Sequence, residues 1–272
     1  MARHGVRRRA ALAAAAADLL DSCQHGKRGE GSRVVPEDEQ GRLAAVQRYH
    51  VLDTPPDGAF DRITALAARL FDVPISIISI VDHDRIWFKS RYGTEVGEIG
   101  RDPGLCASAI CQSEPWLVTD AGVDPRTIDN PLVAGELGLR FYLGVPLMTS
   151  DGFNLGTLNV IDVEPREVSE AEVETLQNLA AIVIDELELR LAVRRTFEER
   201  RRSAVEMNDN VVQGLALAQL ALETGRHEVA REAVTGTLSA ARSIVTTLLE
   251  SGEHGELESG DLVRRDPASL SA

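Results

Sequence analysis

At 272 residues, with 43% apolar and 26% charged side chains, the chain can build one or two domains with ample cores. Its 43 Asp and Glu outweigh 29 Lys and Arg for a formal net charge of -14. That field repels phosphate, which speaks against sequence-independent nucleic-acid binding and against attachment to anionic membrane. Three cysteines, Cys23, Cys106 and Cys111, are too few and too irregular for a disulfide or zinc framework, so a reducing cytoplasm is the expected setting.

The amino terminus, "MARHGVRRRAALAAAAADLLDSC", starts basic and continues Ala-rich. Ala stands where a signal peptide has Leu, and Asp18 interrupts the run, so a short surface helix or loose extension is expected. With the Gly-rich, charged linker that follows, residues 1–36 read as poorly ordered. No stretch reaches the roughly 18 consecutive apolar residues that cross a bilayer, and the protein is expected to be soluble, without membrane contact. A short amphipathic helix is predicted from Glu37 to Tyr49, with Leu43, Val46 and Tyr49 inward, ended by the prolines of "LDTPPDGAFD". Helix resumes near Ala59, where Phe60, Ile63, Leu66, Ala67 and Leu70 recur at three- and four-residue spacing.

The texture changes at Val73. "VPISIISIVD" is β-branched and bounded by turn residues, and "RIWFKSRYG" alternates after it, so the two predict a hairpin. "RFYLGVPLMTS" and "NLGTLNVIDV" predict a second hairpin, joined at Asp151–Gly152, a pair that suits the twist of a tight turn. Between them lie one short helix around Leu105–Gln112 and one short strand in "WLVTD". Strands and helices without regular alternation indicate an antiparallel sheet in an α+β domain. The pairs Arg101–Asp102 and Asp124–Arg126 read as surface or loop-stabilising charges.

After Pro165 the chain reads as helix. Ser169 and Glu172 form a capping box, and Leu176, Leu179, Val183, Leu187 and Leu191 make one apolar stripe. A second register runs through Val193, Phe197, Ala204, Met207, Val211, Leu215, Ala218 and Leu222, and Thr224–Gly225 stops it. A last helix, about His227 to Glu250, puts Ala230, Ala233, Val234, Thr237, Ala241, Ile244 and Leu248 on one face, and residues 251–272 are expected to be disordered. A helical hairpin with one apolar face needs a partner, so a homodimer held by a four-helix bundle over residues 191–250 is expected.

Residues 37–190 resemble a GAF domain, a sensing module of bacterial signalling. The resemblance is carried by "VLDTPPDGAFDRITALAARLFDVPISIISIVDHDRIWFKSRYG", "LCASAI" and "DPRTIDNPLVAGELGLRFYLGVPLMTSDGFNLGTLNVID". It implies a central antiparallel sheet of five or six strands with helices on one face and a ligand cavity on the other. His83, Phe88, Arg91, Cys106, Tyr142 and Asn159 are the candidate ligand contacts. The ligand itself is open. Ala107 follows Cys106 where a bilin-binding cysteine is followed by His, so no covalent bilin is expected, and His83 is the sole histidine within the sheet region that could face a haem. Cys106 and Cys111, five apart, diverge by about 140° on a helix and are expected to be packing residues. No metal site and no catalytic residue are predicted.

The region 198–250 resembles the dimerisation and phosphotransfer hairpin of histidine kinases, carried by "RRRSAVEMNDNVVQGLALAQLAL". Glu206, Asp209, Gln213 and Leu215 match the pattern, while Asn208 stands in place of the phosphoacceptor histidine. An amide nitrogen delocalised into its carbonyl is not a nucleophile, so no phosphoryl transfer is expected. The expectation is therefore a cytoplasmic, non-catalytic sensory dimer of two-component signalling that modulates a histidine kinase or response regulator. The alternatives are a redox enzyme similar to free methionine sulfoxide reductase, or a purely structural dimer.

Overall fold

The computed structural model describes residues 35–253, except 103 and 136. The expectations for residues 1–34 and 254–272 lie outside the described residues. The chain divides into two compact units, Met1–Ala192 and Val193–Ala272.

The first unit is an α+β domain. Helix α1 (Glu39–Tyr49) starts where the Asp38 carboxylate accepts the Gly41 N–H at 2.8 Å. Helix α2 (Gly58–Leu70) starts in the same way, with Asp57 accepting from the Ala59 N–H at 2.9 Å. Strands β1 (Ile75–Val81) and β2 (Arg85–Tyr92) form the first hairpin, and β5 (Phe141–Met148) and β6 (Asn154–Asp162) the second. Short strands β3 (Glu98–Gly100) and β4 (Trp116–Val118) close the two edges, in the order β3-β2-β1-β6-β5-β4, with every neighbouring pair antiparallel. All seven residues of β1 are buried, because it is central and covered on both faces.

Alternation along the strands divides two cores. On one face Ile78, Ile80, Phe141, Leu143, Leu158 and Val160 pack under α1, α2 and the first half of the long helix α5 (Glu170–Met207), which contributes Leu176, Leu179, Val183, Leu187 and Leu191. On the other face Ile75, Ile77, Phe88 and Tyr142 pack under the short helices α3 (Leu105–Ala109) and α4 (Pro131–Ala134). The predicted capping box of α5 is present: the Ser169 N–H donates to Glu172 Oε2 at 2.8 Å and the Glu172 N–H to Ser169 Oγ at 3.3 Å.

Three expectations within this unit differ from what is found. Leu66 and Leu70 are about half exposed, because the buried stripe of α2 runs through Phe60, Thr64, Ala67 and Ala68 instead. On α1, Ala45 joins Val46 and Tyr49 inside, and Leu43 is only partly covered. Arg101 is not a surface charge: its side chain is 2% exposed and meets Glu39 of α1, which also receives two hydrogen bonds from the equally buried Arg42. The reading of Asp124–Arg126 holds, with a 2.6 Å ion pair at the surface of its loop.

In the second unit α5 gives way at Asn208–Val212 to a π-helical stretch, followed by α6 (Gln213–Glu223) and α7 (His227–Glu253). Gly225 adopts φ +71°, which ends α6 at the predicted stop. The seam between α6 and α7 is lined by small residues: Ala218, Ala221, Ala230 and Thr237 are buried, and a Cβ on Gly214 would overlap Thr237 Oγ1. Of the second predicted register, Ala218 is inside, whereas Leu215 and Leu222 are 51% and 55% exposed.

Candidate functional site

Polar side chains gather where an apolar core would be expected, on the sheet face under α3 and α4. Ser79 of β1 sits opposite Thr157 of β6, and their hydroxyls are 2.9 Å apart. Two residues along β6, Asn159 points to the same side and donates through Nδ2 to Thr157 Oγ1 at 3.0 Å and to Cys106 Sγ at 3.4 Å. Tyr142 of β5 donates to the same sulfur at 3.5 Å. Its ring lies over Gly144, where a Cβ would collide with the phenol oxygen, so the glycine makes the conformation available. Trp116 meets the ring edge-on, 5.5 Å between centroids.

Ser79, Thr157, Asn159, Tyr142 and Cys106 are all at most 6% exposed. Burial, the largest cause, and then the neighbouring Cys106 push the Tyr142 phenol well above the usual tyrosine range, so it is a fixed donor at neutral pH. The Asn159 carbonyl oxygen is buried and accepts no hydrogen bond. An orphaned acceptor of this kind costs about 1–3 kcal/mol, which a ligand donor would recover. The cluster can therefore read hydrogen-bond donors through Asn159 Oδ1, among the apolar side chains of Ile77, Phe88 and Ile110.

Of the six candidate contacts, Cys106, Tyr142 and Asn159 come together directly, and Phe88 stands on the same face. Arg91 lies apart, exposed near the end of β2. His83 is exposed in the β1–β2 turn, where its backbone N–H donates to Asp82 Oδ1 at 2.8 Å. Cys111 is outside the cluster too, its thiol donating to the Ala107 carbonyl, and burial pushes that thiol upward in pKa. Ser79 and Thr157 were missed in the sequence reading. Their signal was present, since a hydroxyl interrupts the apolar run of each strand on the same face.

Among the described residues no group of three or more His, Cys, Asp or Glu is placed to hold a metal ion, and no helix is long and apolar enough to cross a membrane. In the hairpin, Glu206 lies in the last turn of α5, and Asn208 opens the π-helical stretch, exposed, its Nδ2 3.5 Å from Asp209 Oδ1. Gln213 donates to the same oxygen at 3.5 Å, so the motif residues engage one another.

The GAF-domain family profile matches residues 55–187. Those residues are a GAF domain. Over 150 residues the chain is 43% identical to a cyclic di-GMP phosphodiesterase of Pseudomonas aeruginosa, a match that takes in 55% of this chain and 26% of that protein. The chain thus spans about a quarter of the length of the curated relative. Among solved structures it is similar to the GAF domain of an Acinetobacter phosphoenolpyruvate-protein phosphotransferase, 20% identical, covering 60% of this chain and 97% of that one with a TM-score of 0.42. It is also similar to the blue-light-absorbing form of the Thermosynechococcus elongatus PixJ GAF domain, 18% identical, covering 62% and 98% with a TM-score of 0.43.

The phosphodiesterase corrects the functional expectation. The GAF resemblance together with Asn208 in the hairpin predicts a non-catalytic modulator of a histidine kinase or response regulator; the relative that is 43% identical over 150 residues is instead named a cyclic di-GMP phosphodiesterase. Asn208 bears on phosphoryl acceptance alone and says nothing of phosphodiester hydrolysis.

Proposed function

We propose that this chain takes part in cyclic di-GMP hydrolysis, with its GAF domain setting the rate of a phosphodiesterase. The observation that carries the reading is the 43% identity over 150 residues to an enzyme of that activity. In this reading the cluster of Tyr142, Asn159 and Cys106, with its unpaired buried Asn159 Oδ1, is where the domain responds to a ligand. The ligand shifts the domain between two packings by its difference in affinity for them. Replacing the matching segment of the Pseudomonas enzyme with residues 37–191 of this chain is the test. The reading expects a chimera that hydrolyses cyclic di-GMP; a folded chimera without hydrolysis would overturn it.

The helical hairpin is a dimerising element in the same reading. Leu215, Leu217, Leu220, Leu222 and Leu238 are each more than half exposed in the single chain, whereas the α6–α7 seam uses small residues. A second copy covers those leucines in a four-helix bundle. The resemblance of 198–250 to a dimerisation hairpin supports this arrangement.

A further inference from the structure

Lys89 is the feature that neither the domain's core nor its polar cluster uses. The β1–β2 ladder pairs Ile78 with Ser90 and Ser79 with Phe88, which leaves Lys89 as the extra residue of a β-bulge. Bulges re-aim side chains and gather beside functional sites. At this one, consecutive residues serve opposite faces of the sheet. Phe88 packs under α3 and α4, on the face that carries Asn159, whereas Lys89 turns to the helix-covered face, against Phe60 of α2. The bulge lies opposite Ser79, whose hydroxyl is 2.9 Å from Thr157 Oγ1, the oxygen that Asn159 Nδ2 reaches at 3.0 Å. Cluster and bulge thus share one strand pairing.

The Lys89 ammonium holds a loop from inside. The residue is 6% exposed, and its Nζ donates to Thr54 Oγ1 at 2.8 Å and to the Pro55 carbonyl at 3.0 Å, both neutral oxygens. Among the described residues no carboxylate reaches it within ion-pair distance. Burial pulls the amine below the ordinary lysine value, and Arg190 adds to that while Asp57 and Asp61 oppose it. A buried cation without a counter-ion is costly, so packing alone would favour an apolar side chain here. The same loop ends in Asp57, which caps α2 and pairs with Arg190 of α5 at 2.6 Å. Arg190 stacks on Phe60, 4.7 Å from the ring centroid, and Lys89 Nζ lies 5.4 Å from it, so one buried ring meets both cations. Arg190 sits in the last turn of α5 within the first unit, which ends at Ala192. Glu188 of that turn is held separately, accepting from the Tyr49 hydroxyl at 2.6 Å and the Ser150 hydroxyl at 3.0 Å.

We propose that Lys89 is a positioning residue that carries a change in the buried cluster across the sheet to α5, which rests on the reading of that cluster as ligand-responsive. A donor bound at Asn159 Oδ1 draws on the amide whose nitrogen holds Thr157, and Thr157 in turn meets Ser79. Ser79 is fixed to the bulge by strand pairing, and at a bulge the ladder is already disrupted and can give. A shift there moves Nζ against Thr54 and Pro55, and the loop passes it to the Asp57–Arg190 pair. An apolar side chain at position 89 would fill the same space without tethering the loop.

The coupling is measured on the full chain without cyclic di-GMP, so its failure and a failure of the hydrolysis reading are separate results. Hydrogen exchange of the amides of residues 186–191 reports how firmly this turn of α5 is held. Lys89→Met and Arg190→Met should each speed that exchange. The double variant should be no faster than the faster single one, a departure from independence of at least about threefold. Lys89→Met and Tyr49→Phe should instead combine independently, because the Glu188 contacts lie outside the route. Thr157→Val removes the hydroxyl between Asn159 and Ser79, and should speed exchange at 186–191 in the wild type but not in the Lys89→Met background. Should Lys89→Met fail to fold, Thr54→Val removes one of its two acceptors and takes its place in each comparison. Independent effects of Lys89 and Arg190, equal coupling of Lys89 to Tyr49, or a Thr157→Val effect that persists in the Lys89→Met background would overturn the proposal.

Discussion

Replacing Glu39 by Gln should cost the first unit about 2 kcal/mol at neutral pH, with a defined dependence on acid. Glu39 bridges two guanidinium groups, Arg42 and Arg101, that are themselves 2% exposed. Burial alone would raise its carboxyl, but the hydrogen bonds and charges of both arginines outweigh burial and hold it at about 2 against an ordinary 4.5. A gap of that size corresponds to about 3.4 kcal/mol. The Glu39 side chain is 21% exposed, so screening by solvent reduces the figure to about 2 kcal/mol. The folded value is the depressed one, so this stabilisation is fully present above the unfolded value near 4.5 and is lost as pH falls toward 2. The Gln variant lacks it at every pH and leaves both guanidiniums without a counter-charge. Urea unfolding of wild type and Glu39→Gln at pH 7, 5 and 3 should give a stability difference that is constant from pH 7 to 5 and about 1 kcal/mol smaller at pH 3. A difference that stays flat down to pH 3, or one below about 1 kcal/mol at pH 7, would refute the bridging role.

Other perturbations probe other parts of the molecule. Gly156→Ala would drive a Cβ into the Ser79 carbonyl of the adjacent strand, so it should prise β1 from β6 and cost about 3 kcal/mol or more in a chemical denaturation experiment. Leu187→Ala truncates a side chain 4% exposed beneath the sheet and should cost about 2–4 kcal/mol, measured in the same way. The double variant Leu215→Asp/Leu222→Asp should convert a dimer to a monomer by light scattering while the circular dichroism of the first unit is retained; a wild type that is already monomeric would contradict the proposed bundle.

What could be read from the sequence followed short-range rules. The two hairpins, the Ser169–Glu172 capping box and the Leu176-to-Leu191 stripe are each fixed by neighbours within a few residues, and each is present. The second hairpin, however, turns through Ser150–Gly152, with Gly152 alone at positive φ, and not through a two-residue Asp151–Gly152 turn. The burial of Arg101 was not legible, because its partner Glu39 is 62 residues away and an arginine in a loop is ordinarily a surface charge. Lys89 was passed over for a related reason: simple alternation assigns it to a face, and the single-residue bulge that redirects it arises from pairing with β1. Strand β3 is three residues long and too short to carry a period. Within the candidate site, Cys106, Tyr142 and Asn159 were accessible through the family resemblance, while Arg91 and His83 lay near the right strands but outside the cluster. Function was not legible in the hairpin, because an altered phosphoacceptor motif bears only on phosphoryl acceptance, while the 43% identity is to a protein named for phosphodiester hydrolysis.

The most direct measurement is cyclic di-GMP hydrolysis by the Pseudomonas enzyme carrying residues 37–191 of this chain, compared with the same chimera bearing Asn159→Leu. The account predicts that the first hydrolyses cyclic di-GMP and that the substitution changes its rate at least about threefold, a barrier change near 0.7 kcal/mol. Equal rates from two well-folded chimeras would show that the buried cluster does not govern the enzyme.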